Sequence, residues 1–129
     1  MTTELNMLVL AAFLALIQIL IVLGPALGQL GLAYLASPRD EARGLTGVGA
    51  RAQRAFLNMM ETLPIFAIAV LVTHVAGATN GITAACAQIY VIARVIYVPV
   101  YLMGIPWLRT AIWLVATLSI VILLLQAVL

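Results

Sequence analysis

The apolar positions of this chain fall into four long runs: Leu5 to about Leu35, about Arg51 to Val75, about Ile82 to Met103, and about Trp107 to Leu129. Each is long enough for the ~20 residues that carry a helix across a ~30 Å hydrocarbon core. None alternates apolar with polar residues as a membrane barrel strand would. The pattern predicts an all-α membrane protein, a four-transmembrane-helix bundle formed as one unit over residues 1–129. The only polar connection of any length is Ser37 to Ala50, within a first loop of about residues 36–50, and its Pro, Gly and mixed charges mark a loop. The other two are tight, Gly77 to Gly81 and Gly104 to Pro106. Gly24-Pro25 predicts a kink in the first span, because Pro removes a backbone donor.

Composition agrees with the pattern. Of the 129 residues, 66% are hydrophobic and 8% charged, against roughly 25% charged in soluble domains, so an integral membrane protein is expected. The first run is too long for a signal peptide and lacks the basic start that one needs, so it reads as a retained span. The single Cys86 has no intrachain disulfide partner and no neighbouring metal ligand, and reads as a small packing residue with no metal site expected. His74 reads as an interfacial residue near the end of the second span. Six Arg and no Lys stand against four acids, too small an excess to argue for nucleic-acid binding.

The positions of those Arg matter more than their number. Arg39, Arg43, Arg51, Arg54 and Arg109 all lie in or beside the first and third connections, and the opposite side has no Lys or Arg. The positive-inside rule then expects these two connections in the cytoplasm and both termini away from it.

Three full charges enter the second run. At ~100° per residue, Arg51, Arg54, Asn58 and Glu61 share one helix face within roughly 80° and reach about 15 Å into the span. Tyr90, Arg94, Tyr97 and Tyr101 form a matching stripe on the third span, and Arg109 opens the fourth on the same side. A charge at mid-bilayer depth costs at least ~2.5–3.5 kcal/mol on insertion scales, which makes such a residue a functional-site hypothesis by default. Two facing stripes imply a shared pocket, and four Arg against one Glu imply an anionic ligand. Structural readings compete residue by residue: Arg51 as a snorkelling interfacial side chain, Glu61 as an ion-pair partner of Arg54 or Arg94, and Tyr97 and Tyr101 as interfacial belt aromatics.

The block Arg51 to Glu61, followed by Pro64 and Phe66, together with Ala93-Arg94, Tyr97, Tyr101, Gly104 and Arg109, resembles the MAPEG family, the membrane-associated proteins of eicosanoid and glutathione metabolism. The resemblance covers nearly the whole chain and suggests a short bacterial-type member, expected in the inner membrane. It implies a homotrimer of four-helix subunits that binds glutathione between neighbours and acts on a lipophilic small molecule, by transferase or peroxidase chemistry. By the same resemblance, Arg51, Arg54, Asn58, Glu61, Arg94, Tyr97 and Tyr101 bind glutathione and Arg109 stabilises its thiolate. The chain departs from the family pattern at Phe56 and Thr62, where relatives carry polar or Tyr residues that contact glutathione. Two other classes remain in view: a non-enzymatic scaffold that keeps the fold, and a small proton-coupled multidrug transporter using Glu61.

Overall fold

The computed structural model describes residues 1–39 and 43–129. Its helices are α1 (Thr3–Gln29), α2 (Leu32–Ala36), α3 (Gly47–Val75), α4 (Gly81–Met103) and α5 (Pro106–Val128), and the four long ones are each long and apolar enough to cross a bilayer. Among the described residues there is no strand. The four expected spans are present, with two differences in their limits.

The first run is not one helix. It is interrupted at Gly31 (φ +84°), whose N–H bonds the carbonyls of Ala26 and Leu27 at 3.3 and 3.2 Å and closes the end of α1. A side chain is strained at that positive φ, so Gly sets the break. The Gly24-Pro25 signal does not end the helix, and α1 continues past Pro25 to Gln29. The second span also begins earlier than expected, at Gly47 rather than Arg51, so residues 47–50 of the anticipated loop are helical. The Gln29 side chain accounts for this start: its Oε1 accepts from Thr46 N at 2.9 Å and its Nε2 donates to Thr46 O at 3.1 Å. Residues 40–42 of the loop lie outside the described residues.

Helices α3 and α4 form a central pair, flanked by α1 and α5, which do not pack on each other. The inward face of α1 is a single seam, Glu4, Ala11, Ala15, Gln18 and Ala26, as the 3.6-residue period requires. Small residues there let helices approach closely where lipid supplies no hydrophobic drive. The closest approach is at Gly49, where an added Cβ would stand 2.8 Å from Pro25 Cβ. Farther along, Phe66 and Tyr90 stack at 4.0 Å between ring centroids. The outward faces carry large apolar residues such as Phe13, Leu20, Ile68 and Ile92, surface that suits hydrocarbon and not water.

At the end where α1 begins, Asn80 caps α4 with its side chain accepting from Ile82 N and Thr83 N. There the Thr83 hydroxyl donates to the buried Glu4 carboxylate at 2.6 Å, tying α1 to α4. At the opposite end α4 stops at Gly104 in the left-handed conformation (φ +74°), and Pro106 starts α5, where its missing N–H costs nothing.

Candidate functional site

The two polar stripes meet, as their spacing predicts, where the start of α3 and the start of α5 face the end of α4. Arg51 is half-buried and donates through Nη1 to the Leu102 carbonyl at 3.1 Å. Its guanidinium lies against Gly104. That places a cation on the carbonyl-rich, partly negative end of α4. Arg51 therefore has a structural bond that ties the start of α3 to the end of α4.

Arg94 is 1% exposed. Its Nη1 donates to Asn58 Oδ1 at 3.0 Å, and its guanidinium lies 4.3 Å from the Tyr97 ring centroid. Tyr97 and Tyr101 are tilted neighbours at 5.5 Å. Tyr101 in turn is met by two cations: Arg109 sits 4.6 Å over its ring, and Arg54 donates Nε to its hydroxyl at 3.3 Å. The result is a ladder of cations and rings running Asn58, Arg94, Tyr97, Tyr101, with Arg109 and Arg54 at its open end. Each face-on contact of this kind is worth ~0.5–2 kcal/mol and fixes the direction of a guanidinium without neutralising it. Both tyrosines are thus packed against guanidinium groups and line the cleft beside them.

Beside the ladder is a cleft of about 320 Å³ lined by Asn58, Tyr97, Tyr101, Arg109, Thr110 and Trp113, at the small end of the ~300–1,000 Å³ typical of small-molecule sites. Arg54 and Glu61 are exposed on the outer side of α3. No hydrogen bond or ion pair joins Glu61 to Arg54 or Arg94 among the described residues; their partners are Tyr101 and Asn58 instead. The competing ion-pair reading of Glu61 therefore does not hold in this subunit. Chemically, the site offers guanidinium donors to carboxylates and one open carboxylate to a cation.

Thr110 and Trp113 were not anticipated. A signal for Trp113 was present, because it follows Arg109 by four residues and so shares its helix face. The two departures from the family pattern also find their places. Thr62 is buried and its hydroxyl is paired with the Tyr90 hydroxyl at 3.0 Å, so it belongs to the core. Phe56 is half-buried on the α1 side of α3, lining a separate cleft with Ala26 and Tyr34. Cys86 is buried in the core cluster, and His74 is exposed in the last turn of α3, far along the helix from the site. Among the described residues no group of three or more His, Cys, Asp or Glu is placed to hold a metal ion.

Fold and site together define a multi-pass membrane protein with a cation-rich, tyrosine-supported cleft at one end of a four-helix bundle. The chain belongs to the MAPEG family, whose sequence model matches residues 7–129. No curated protein matches the sequence at a significant level.

Proposed function

We propose that this protein is a glutathione-dependent membrane enzyme of transferase or peroxidase type, with its site completed between subunits of a homotrimer. The observation that carries the reading is the cleft itself, where Arg109 is held over Tyr101 at 4.6 Å and shares the lining with Asn58 and Tyr97. Glutathione presents two carboxylates, which suit bidentate guanidinium donors, and an ammonium, which suits Glu61. Because Arg54 and Glu61 point out of the subunit, a neighbouring copy is the natural second wall. The proposed orientation puts this end at the cytoplasmic surface of a bacterial inner membrane, following the arginines, with both termini on the other side.

In this mechanism Arg109 acts electrostatically. The thiolate, not the thiol, is the nucleophile, and a fixed positive charge next to the sulfur favours the deprotonated form. The sulfur then forms a bond to an electrophilic carbon as the leaving group departs with its electron pair, or to the terminal oxygen of a lipid hydroperoxide as the O–O bond breaks and the alkoxide leaves to be protonated to the alcohol; a second glutathione then attacks the sulfur of the resulting sulfenic acid, releasing water and forming the disulfide. Charge already in place requires no reorganisation as the reaction proceeds. An apolar groove of about 280 Å³ between α4 and α5, lined by Ile92, Ile96, Ile112 and Val115 among others, gives a lipophilic partner a surface on the same helix pair.

The test is glutathione-dependent turnover of an aryl halide and of a lipid hydroperoxide by detergent-purified protein. Arg109→Ala is expected to lower kcat by about 10²–10³, the usual loss for one electrostatic stabiliser, and to raise the thiol pKa of bound glutathione followed by thiolate absorbance. Unchanged turnover and an unchanged titration would remove Arg109 from the mechanism. A second reading, a non-enzymatic scaffold, is favoured by the structural bonds of Arg51 to Leu102 and Arg94 to Asn58. It predicts no turnover of either substrate by wild type.

A further inference from the structure

Among the described residues three buried side chains carry unbonded polar atoms, Gln18, Arg94 and Thr117, and the first two are the large ones. Gln18 on α1 is 2% exposed, and neither its Oε1 nor its Nε2 makes a hydrogen bond; Arg94 on α4 is 1% exposed, and its Nε and Nη2 are likewise unbonded. In hydrocarbon each unsatisfied polar group costs several kcal/mol, since no bulk water can replace the missing partner. Two such residues at unrelated places would be a heavy burden on a four-helix bundle. Their positions are related.

Helices α1 and α4 run parallel and are pinned in register by the Glu4–Thr83 bond. Counting from that bond at 1.5 Å per residue, Gln18 lies about 21 Å along α1 and Arg94 about 17 Å along α4, so their depths differ by only about 4–5 Å. Gln18 also lies on the buried seam of α1 that begins at Glu4, offset from it by nearly four whole turns, on a helix that packs against both α3 and α4. The chemistry is complementary: Arg94 has donors only, and Gln18 brings the carbonyl acceptor that Asn58 alone does not supply in sufficient number. A single water accepting from Arg94 and donating to Gln18 Oε1 would satisfy both groups. Buried waters of this kind typically make about three hydrogen bonds to groups otherwise unsatisfied.

We propose that Gln18 is a positioning residue for Arg94, joined to it through one buried water, so that the guanidinium is held from α1 as well as from Asn58 on α3. Gln18 thereby fixes the inner end of the cation–tyrosine ladder. The effect on ligand binding rests on the glutathione reading; the link between Gln18 and Arg94 does not.

The test compares Gln18→Met and Gln18→Glu with wild type in the full-length, detergent-purified protein at mildly alkaline pH, reading thermal unfolding and glutathione affinity. An unpaired carboxylate inside a membrane bundle is far more costly than a thioether, so Glu can outperform Met only if a cation faces it. The expected order of Tm is Glu at or above wild type and Met below it, with glutathione binding weakened several-fold in Met and restored in Glu. If Met is as stable as or more stable than Glu, Arg94 does not face Gln18 and the proposal fails. If the stability order holds but wild type and Gln18→Met bind glutathione equally, Gln18 partners Arg94 without positioning the site, which also overturns it. Absence of glutathione binding by wild type would instead refute the functional reading, and the Tm order would still decide the Gln18–Arg94 link.

Discussion

Asn58 is a single amide on which a buried cation depends. It gives Arg94 its one hydrogen bond to a protein group, at 3.0 Å, and a hydrogen bond to a charged group contributes about 1.5–3 kcal/mol net. Asn58→Leu is therefore expected to lower stability by about that much in reversible unfolding from mixed micelles. Adding Arg94→Met should recover part of the loss, because it removes the stranded charge. If the double variant were less stable than Asn58→Leu by a full additive increment, the two residues would not be coupled as described. The stripe from Arg51 to Glu61 was legible in the sequence because helical period fixes which residues share a face. The choice of partner was not: period gives azimuth, and Arg94 had two acceptors within plausible reach, Glu61 and Asn58. Packing selected the neutral amide, leaving Glu61 exposed. Gln18 escaped notice because it stands alone in an apolar run, and Glu4, set among Thr2, Thr3 and Asn6, gave no sign of its partner Thr83. Their shared seam with Ala11, Ala15 and Ala26 was nevertheless readable as small and polar residues at helical spacing.

Among the elements, the α1–α3 pair includes a close backbone approach. Gly49 permits it: a Cβ there would stand 2.8 Å from Pro25 Cβ and 3.1 Å from Gln29 Nε2. Gly49→Val should cost about 1–3 kcal/mol, as overpacking does, and should also disturb the Gln29–Thr46 bonds that start α3. Gly28→Ala, in the same region but with open space around its Cβ, is the control and should leave the unfolding temperature unchanged or raised. Equal effects of the two substitutions would contradict the close approach. The number and type of spans were legible because four apolar runs of sufficient length leave little choice. Their limits were less so: the first run reads as one apolar stretch, yet it breaks at Gly31, where the backbone adopts a conformation that Gly accepts most readily.

For the whole molecule, the exposed Arg54 and Glu61 and the cleft beside them make sense if a neighbouring copy covers that side of α3. Native mass spectrometry of the protein in detergent is expected to give three subunits, and Arg54→Glu is expected to weaken the assembly; a monomer that retains full activity would rule out a shared site. The central claim, that the cation–tyrosine ladder receives glutathione, is tested most directly by titrating glutathione into detergent-purified wild type, Arg54→Ala and Glu61→Gln by calorimetry. The account predicts saturable binding at or below millimolar glutathione by wild type and at least tenfold weaker binding by each variant, a difference of about 1.4 kcal/mol. No binding by wild type, or equal binding by all three, would contradict it.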